Sequence, residues 1–184
     1  ILHYTKLVER KKRLDSMLSH LGITAEYFLQ HDQEDLTEDL ISEYYKPNKE
    51  DYDRKINDLW GARAAPYREL NIAQISCTIK HYNCIKKVAE ETSQYGLVLE
   101  DDVKLLLGSE TIDFVPPKNS DLCYLGGMFW HLNKQPPKKE THWIKIDPTA
   151  LKLVGTFAYC INNTKTINDI YNLCKSVFIE GKGH

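Results

Sequence analysis

The sequence lacks the long apolar run that a membrane-spanning helix requires. No stretch of its 184 residues approaches the ~18 consecutive apolar residues needed to cross a bilayer, and no secretory signal begins it. An excess of positive charge is also absent. The formal net charge is -2, which is not typical of a nucleic-acid binder. We therefore expect no membrane span and no nucleic-acid partner.

Cysteines are few and form no recognisable metal or redox motif. There is no C-x-x-C, the number is odd, and most of the five fall within apolar patterns: Cys77, Cys84, Cys123, Cys160 and Cys174. This usage is typical of reduced core thiols, so we expect a cytoplasmic protein. An initiator Met is missing too, because the chain opens on Ile1, and we expect a fragment or a processed product.

The motifs of several catalytic classes are absent. The sequence contains no H-E-x-x-H, no G-x-S-x-G, no P-loop and no strand-linked G-x-G-x-x-G. Its composition is ordinary for a globular protein, with 42% hydrophobic and 27% charged residues. The length suits one domain with its own core, and we predict a single domain over residues 1–184.

Apolar periodicity predicts helices that alternate with strands. Helices are predicted near 14–21, 75–91 and 167–178, and strands at 1–4, 97–99, 122–125 and 154–161. The polar residues 31–70 predict surface loops and short helices. The pattern indicates an α/β domain with a mainly parallel sheet. The apolar run at 97–99 further predicts a strand that is covered on both faces.

Three adjacent carboxylates follow that strand. Glu100, Asp101 and Asp102 stand at a carboxyl strand end, where open α/β sheets bind ligands. Alternation along an extended chain directs Glu100 and Asp102 to one side and Asp101 to the other. Two hard oxygen ligands on one side suit Mg²⁺ or Mn²⁺, with substrate phosphates and water completing the shell. A solvated acidic turn is the alternative.

The order of motifs around the triplet resembles glycosyltransferase family 25, which includes lipooligosaccharide and procollagen galactosyltransferases. "LVLEDDV" is similar to the family's carboxylate motif, and "ILHYTKLVERKKRLDSMLSHLGI" to its opening strand, arginine turn and first helix. "AQISCTIKHYNCIKKV" resembles its second helix, with Lys80-His81 where a Ser-His pair is common. "DLCYLGG" and "GTFAYCIN" resemble later segments in the same order.

The resemblance implies a Rossmann-like GT-A nucleotide-sugar fold, with a mainly parallel sheet flanked by helices. It implies a metal-dependent, inverting transfer of galactose or glucose from a UDP-sugar to a hydroxyl of a glycan or protein acceptor. Mn²⁺ or Mg²⁺ is expected on Asp102 and Glu100. The residues expected to bind the nucleotide sugar are His3, Tyr4, Thr5, Arg10, Lys80, Glu100, Asp101, Gly126 and Gly127.

Plainer structural interpretations stand beside these roles. Tyr4 is also explained by packing, and Gly126-Gly127 by a tight turn that ends a strand. The basic run 10–13 and Lys80 are also explained as solvated helix surface. His81 is expected to be a packed, hydrogen-bonded histidine rather than a ligand.

One departure from the family concerns the catalytic base. The family's usual Asp after the last helix has no counterpart within residues 1–184, so we expect a domain truncated at its C-terminal end, with the base beyond it. A non-catalytic relative that binds carbohydrate or acts as a scaffold is the alternative. A metal-dependent phosphohydrolase would need more metal ligands than the sequence offers.

Overall fold

The secondary structure consists of four helices and three strands in the part of the chain that the structure describes. The structure is a computed structural model that describes residues 1–47, 69–91, 95–104, 116–117, 120–130, 152–162 and 165–175. The helices are α1 (Val8–His20), α2 (Glu38–Tyr44), α3 (Ile72–Glu90) and α4 (Lys165–Cys174). The strands are β1 (Tyr95–Leu99), β2 (Leu122–Trp130) and β3 (Lys152–Asn162). Within these ranges no helix has the length and apolarity to cross a membrane. The predicted helical residues 176–178 and part of the predicted polar segment, 48–68, lie outside the described residues.

The helix termini follow from local sequence. Gly22 adopts a φ of 66° just after α1. This left-handed conformation ends a helix, and glycine adopts it with little steric strain because it has no Cβ. The predicted end of this helix is therefore confirmed. Helix α3 begins earlier than predicted because Asn71 and Gln74 form a capping box. The Asn71 side chain accepts from the Gln74 N–H at 3.0 Å, and Gln74 Oε1 accepts from the Asn71 N–H at 2.9 Å.

The three strands form an antiparallel sheet in the order β1-β3-β2. The prediction of mainly parallel pairing is therefore wrong for these strands, because β3 lies between two strands that run against it. Apolar periodicity reports which residues are buried, and it carries no information on strand direction. Parallel pairing occurs at the isolated bridges of Leu2 with Phe28 and Glu100. The mixture of helices and a small sheet is compatible with the predicted α/β class.

Strand β2 continues through Gly126-Gly127 to Trp130. The predicted strand end at this pair, and the tight turn proposed for it, are wrong. The pairing with β3 instead shifts between Tyr124 and Gly126, and again between Gly126 and Met128. Glycine accommodates such bulges because it has no Cβ to place on the distorted ladder.

The core has one apolar cluster on each face of β1. The cluster on the α3 face contains Leu2, Cys84, Ile85, Val98, Tyr159 and Ile161. The cluster on the α1 face contains Ile1, Leu14, Leu18 and Leu99. Successive residues Val98 and Leu99 thus belong to opposite faces, so the predicted covering on both sides is confirmed for these two residues. It is wrong for Leu97, which is exposed.

Four of the cysteines have described side chains, and all four are free thiols. Cys84, Cys123 and Cys160 are buried, as expected of core thiols. Cys77 is exposed, so the expectation that the cysteines pack in the core is wrong at this position. Cys77 lies on α3 between the buried Ser76 and the half-buried Thr78, at a position of the helix that faces solvent.

Candidate functional site

Asp101 forms the centre of a buried network at the carboxyl end of β1. Its Oδ2 accepts from His3 Nδ1 at 2.9 Å and from the Tyr4 N–H at 3.1 Å. Its Oδ1 accepts from Arg10 Nη1 at 2.8 Å. Burial opposes ionisation of this carboxyl, but the hydrogen bonds from Arg10, Tyr4 and His3 outweigh it and hold the pKa of Asp101 below its usual range. Asp101 is thus an ionised anchor that joins the N-terminal segment and α1 to β1.

The Arg13 side chain also binds this strand end, through the backbone carbonyl groups that follow β1. Its guanidinium donates to the carbonyl oxygens of Asp101 at 3.0 Å and Val103 at 2.8 Å. The interpretation of the run 10–13 as solvated helix surface is therefore wrong for the half-buried Arg13, whereas Arg10 is exposed and also pairs with Asp101. A basic run on an amphipathic helix did not reveal this, because the partners lie about 90 residues away in sequence.

A second buried carboxylate, Asp32, holds the other side of the N-terminal segment. It accepts from the N–H of Thr5 at 3.0 Å, from the Thr5 hydroxyl and from Lys80 Nζ. Burial raises the pKa of Asp32, and the hydrogen bonds from Lys80 and Thr5 lower it by more, so the net direction is downward. Lys80 also donates to the carbonyl oxygen of His3. At 4% exposure, Lys80 is not the solvated surface residue of the alternative interpretation.

Sequence reasoning missed Asp32, which lies in the segment predicted to be surface. The loop that presents it is unusual, because His31 has a φ of 63°, a conformation that few non-glycine residues adopt. The hydroxyl of Ser76 donates to the His31 carbonyl at 2.6 Å. Since Ser76 and Lys80 lie one turn apart on α3, the two side chains together hold this loop against the helix.

Glu100 faces α3 rather than α1. His81 Nε2 lies 3.2 Å from Glu100 Oε1, and His81 Nδ1 lies 2.9 Å from the Tyr159 hydroxyl. The prediction of a packed, hydrogen-bonded His81 is confirmed. Cys77 is one turn before His81 on the same helix, and its Sγ, the histidine nitrogen and the carboxylate oxygen lie within 4.8 Å of one another.

The negative field at this edge acts on Cys77. Although part of its surface is exposed, desolvation by neighbouring protein atoms, followed by the charge of Glu100, raises the pKa of the Cys77 thiol to about 11. The charges of Asp101 and Asp102 act in the same direction, and that of Lys80 opposes them. Desolvation thus has the largest effect on this pKa, and the charges of the three carboxylates add to it.

Asp102 differs from its two neighbours in the triplet. Its side chain is exposed, and it makes no hydrogen bond or ion pair with any residue that the structure describes. The half-buried Glu100 precedes it by two residues and contacts His81, and the two residues offer hard carboxylate oxygens at one strand end. Mg²⁺ and Mn²⁺ require only one or two such groups when phosphate oxygens complete the shell, so these residues fit the expected metal.

The structure brings most of the predicted site residues to one edge of the sheet. His3, Tyr4 and Thr5 lie beside the end of β1, and Arg10 and Lys80 reach them from two helices. His3 and Lys80 are buried with protein partners, whereas Thr5 and Arg10 are exposed and Tyr4 is half-buried. The surface open to a ligand is thus formed by Tyr4, Thr5 and Arg10.

Gly126 lies across β3 from this group. It pairs with Ala158, which in turn pairs with Leu99, so Gly126 and the end of β1 are at the same level of the sheet. Two strand spacings separate them, or about 10 Å. No described hydrogen bond joins Gly126 or Gly127 to the carboxylate end, although their position allows a ligand to extend between the two.

The comparison with protein families covers this region. The model of glycosyltransferase family 25 (LPS biosynthesis protein) matches residues 4–125, about two thirds of the chain. The matched range contains Arg10, Asp32, Lys80 and the carboxylate triplet, and it ends just before Gly126. No curated protein matches the chain. A sugar donor and an acceptor are the partners that such a family implies, and the extent of the match shows that this chain belongs to glycosyltransferase family 25.

Proposed function

We propose that this protein transfers galactose or glucose from a UDP-sugar to a hydroxyl of a glycan or protein acceptor, with inversion at the sugar carbon. Family membership supports the class of reaction. The observation that carries the proposal is the exposed carboxylate of Asp102, which has no described partner at a strand end where its neighbours Glu100 and Asp101 have theirs.

A Rossmann-like GT-A arrangement is part of this proposal. The parallel bridges of Leu2 support it, because they align the N-terminal segment with β1 and bring His3 to Thr5 beside the triplet. Strands β1 and β2 also run in the same direction, since each is antiparallel to β3. Ligands in open α/β sheets bind at such carboxyl ends.

The proposed metal, Mn²⁺ or Mg²⁺, would be held by Asp102 with Glu100. When bound, it supplies Lewis-acid neutralisation of the charge on the diphosphate leaving group. A bound cation would also offset the repulsion between neighbouring carboxylates, because like charges at close range repel one another.

The chain's own residues position the donor in this proposal. Arg10 has five N–H donors and uses one described bond to Asp101, while 45% of its side chain is exposed, so it has donors left for phosphate oxygens.

Tyr4 and Thr5 face the ribose and base from the N-terminal segment. His3, Asp101 and Lys80 are buried, so we assign them the role of holding that segment in place. Gly126 and Gly127 let the sugar approach the backbone.

Thermal melts with UDP and Mn²⁺ test the proposal. UDP should raise the melting temperature, and more so with Mn²⁺, because a ligand that binds only the folded state adds ~2.7 kcal/mol to the free energy of unfolding at 100 times its Kd. Asp102→Asn should abolish the metal-dependent part. Asp169→Asn is the matched control, since it removes an exposed carboxylate on α4, and it should behave as wild type.

Two outcomes count against the proposal. If no nucleotide shifted the melt, with or without metal, there would be no donor site. If UDP-sugars bound in a metal-dependent way but no sugar reached any hydroxyl acceptor and no UDP was released, the non-catalytic carbohydrate-binding alternative would hold.

A further inference from the structure

Three side chains with different ligand atoms converge beside the carboxylate triplet. Cys77 and His81 are one turn apart on α3, and Glu100 follows β1. Their ligand atoms all lie within 4.8 Å of one another. Cys77 is exposed and the other two are half-buried, so the group is accessible from solvent. Neither the periodicity of α3 nor the proposed donor site accounts for a thiol at this point.

The spacing suits a tetrahedral metal. Zinc bonds of 2.0–2.3 Å to nitrogen, oxygen and sulfur place neighbouring ligand atoms about 3.4–3.6 Å apart. His81 Nε2 and Glu100 Oε1 are 3.2 Å apart, already close to that length. The Cys77 Sγ lies within 4.8 Å of both atoms and must move closer to them to complete the third corner.

The ligand types also indicate which metal binds. Thiolate, imidazole and carboxylate are the three protein ligands that zinc takes, and a thiolate is a ligand that Mg²⁺ and Mn²⁺ disfavour. The Tyr159 hydroxyl, 2.9 Å from His81 Nδ1, can accept from Nδ1–H, an arrangement that leaves Nε2 without a proton and available to a metal. It thus serves as the outer partner that metal-binding histidines usually have.

We propose that Cys77, His81 and Glu100 bind Zn²⁺, with the fourth position open to solvent. The ion neutralises the Cys77 thiolate and the Glu100 carboxylate, next to the further negative charges of Asp101 and Asp102. Three protein ligands with one open position resemble the coordination of catalytic rather than structural zinc. The site shares Glu100 with the proposed Mn²⁺ or Mg²⁺ site on Asp102, and it differs from that site in having a thiolate and an imidazole as ligands.

Zinc at this site also regulates the transferase. Glu100 belongs to both ligand sets, so bound Zn²⁺ withdraws one carboxylate from the nucleotide's metal and lowers the affinity for UDP with Mn²⁺. This consequence rests on the proposed function, whereas zinc binding itself does not.

Metal titrations of the full chain test the site. We expect wild type to bind one Zn²⁺ per chain, and Co²⁺ to give the near-ultraviolet charge-transfer band of a thiolate ligand. Cys77→Ser removes a direct ligand, so it should weaken Zn²⁺ binding by at least the roughly 10- to 100-fold that loss of an outer-shell partner costs, and it should abolish the band. Asp102→Asn is the matched control at the same edge, and it should retain both Zn²⁺ binding and the band. Metal-free melts establish that the variants fold, which we expect because Cys77 is exposed.

The outcomes separate this site from the donor site. The proposal fails if wild type binds no Zn²⁺, if Cys77→Ser binds it as tightly as wild type, or if Asp102→Asn loses it. Cys77→Ser should still be stabilised by UDP with Mn²⁺, and added Zn²⁺ should reduce that stabilisation in wild type but not in Cys77→Ser. Loss of UDP binding in every protein, with zinc binding intact, would count against the donor site alone.

Discussion

At the scale of single residues, three chemically similar carboxylates have three different environments. Asp101 is buried, and its hydrogen-bond partners stabilise its ionised form. Glu100 contacts His81, and Asp102 is exposed. The sequence predicted where the triplet lies but not how its members differ, because their partners come from residues 3, 10 and 81. Asp32 was missed for the same reason: its contact with Lys80 joins residues 48 positions apart, and no local pattern reports it.

Asp101→Asn should destabilise the protein and flatten its response to acid. The pKa of Asp101 is lower in the folded than in the unfolded chain, so its contribution is present above the unfolded value, about 4, and is lost as the pH falls through the folded value. Removing the charge leaves Arg10 and His3 with a weaker acceptor, and we expect a loss of about 1.5–3 kcal/mol at pH 7.

Urea denaturation between pH 3 and 7 measures this effect. The free energy of unfolding should rise with pH more steeply in wild type than in Asp101→Asn. Asp102→Asn serves as the control, because the exposed Asp102 makes no described hydrogen bond that could be lost, and this variant should be equally or slightly more stable than wild type at pH 7 without metal. Parallel pH profiles for wild type and Asp101→Asn would contradict the assignment of Asp101 as an ionised anchor.

At the scale of elements, α3 organises the site with its polar residues. Its apolar positions Ile75, Ile79, Tyr82 and Ile85 are buried, as periodicity predicted. The same periodicity places Lys80 on a solvated face, yet Lys80 is buried. Its ammonium group is stabilised there because the Asp32 carboxylate and the His3 carbonyl accept its hydrogen bonds. An amphipathic pattern assumes that charges face water, so it fails where a helix packs against a polar loop.

The contact between α3 and β1 depends on Gly96. A Cβ added at Gly96 would lie 2.3 Å from a methyl carbon of Val88, so the helix or the strand must shift to admit it. We expect Gly96→Ala to lower the free energy of unfolding by about 1–3 kcal/mol through overpacking. Val88→Ala removes the obstructing methyl groups, so the double variant should lose less than the sum of the two single changes. Urea denaturation of the four proteins measures this coupling, and additive losses would show that Val88 is not the obstacle.

At the scale of the whole molecule, β1 unites the two halves of the core. Val98 packs in the cluster with α3 and Leu99 in the cluster with α1, so neither face forms without the strand between them. The sequence predicted strand β1 from its continuous apolar run. It did not predict that β3 lies between β1 and β2 and runs antiparallel to both. Leu99 and Ala158 are distant in sequence, and only the folded sheet pairs them.

A shared strand predicts one cooperative unfolding transition, as expected of a single domain. Leu14→Ala opens a cavity in the cluster on the α1 face, and Ile161→Ala does so on the α3 face; both side chains are fully buried. Each change should cost about 2–5 kcal/mol, and because the residues belong to different clusters the two costs should add within about 0.5 kcal/mol. Calorimetry and circular dichroism should report a single transition at a common midpoint in every variant. Two transitions, each shifted by only one of the substitutions, would instead show that the α1 and α3 faces unfold separately and that β1 does not couple them.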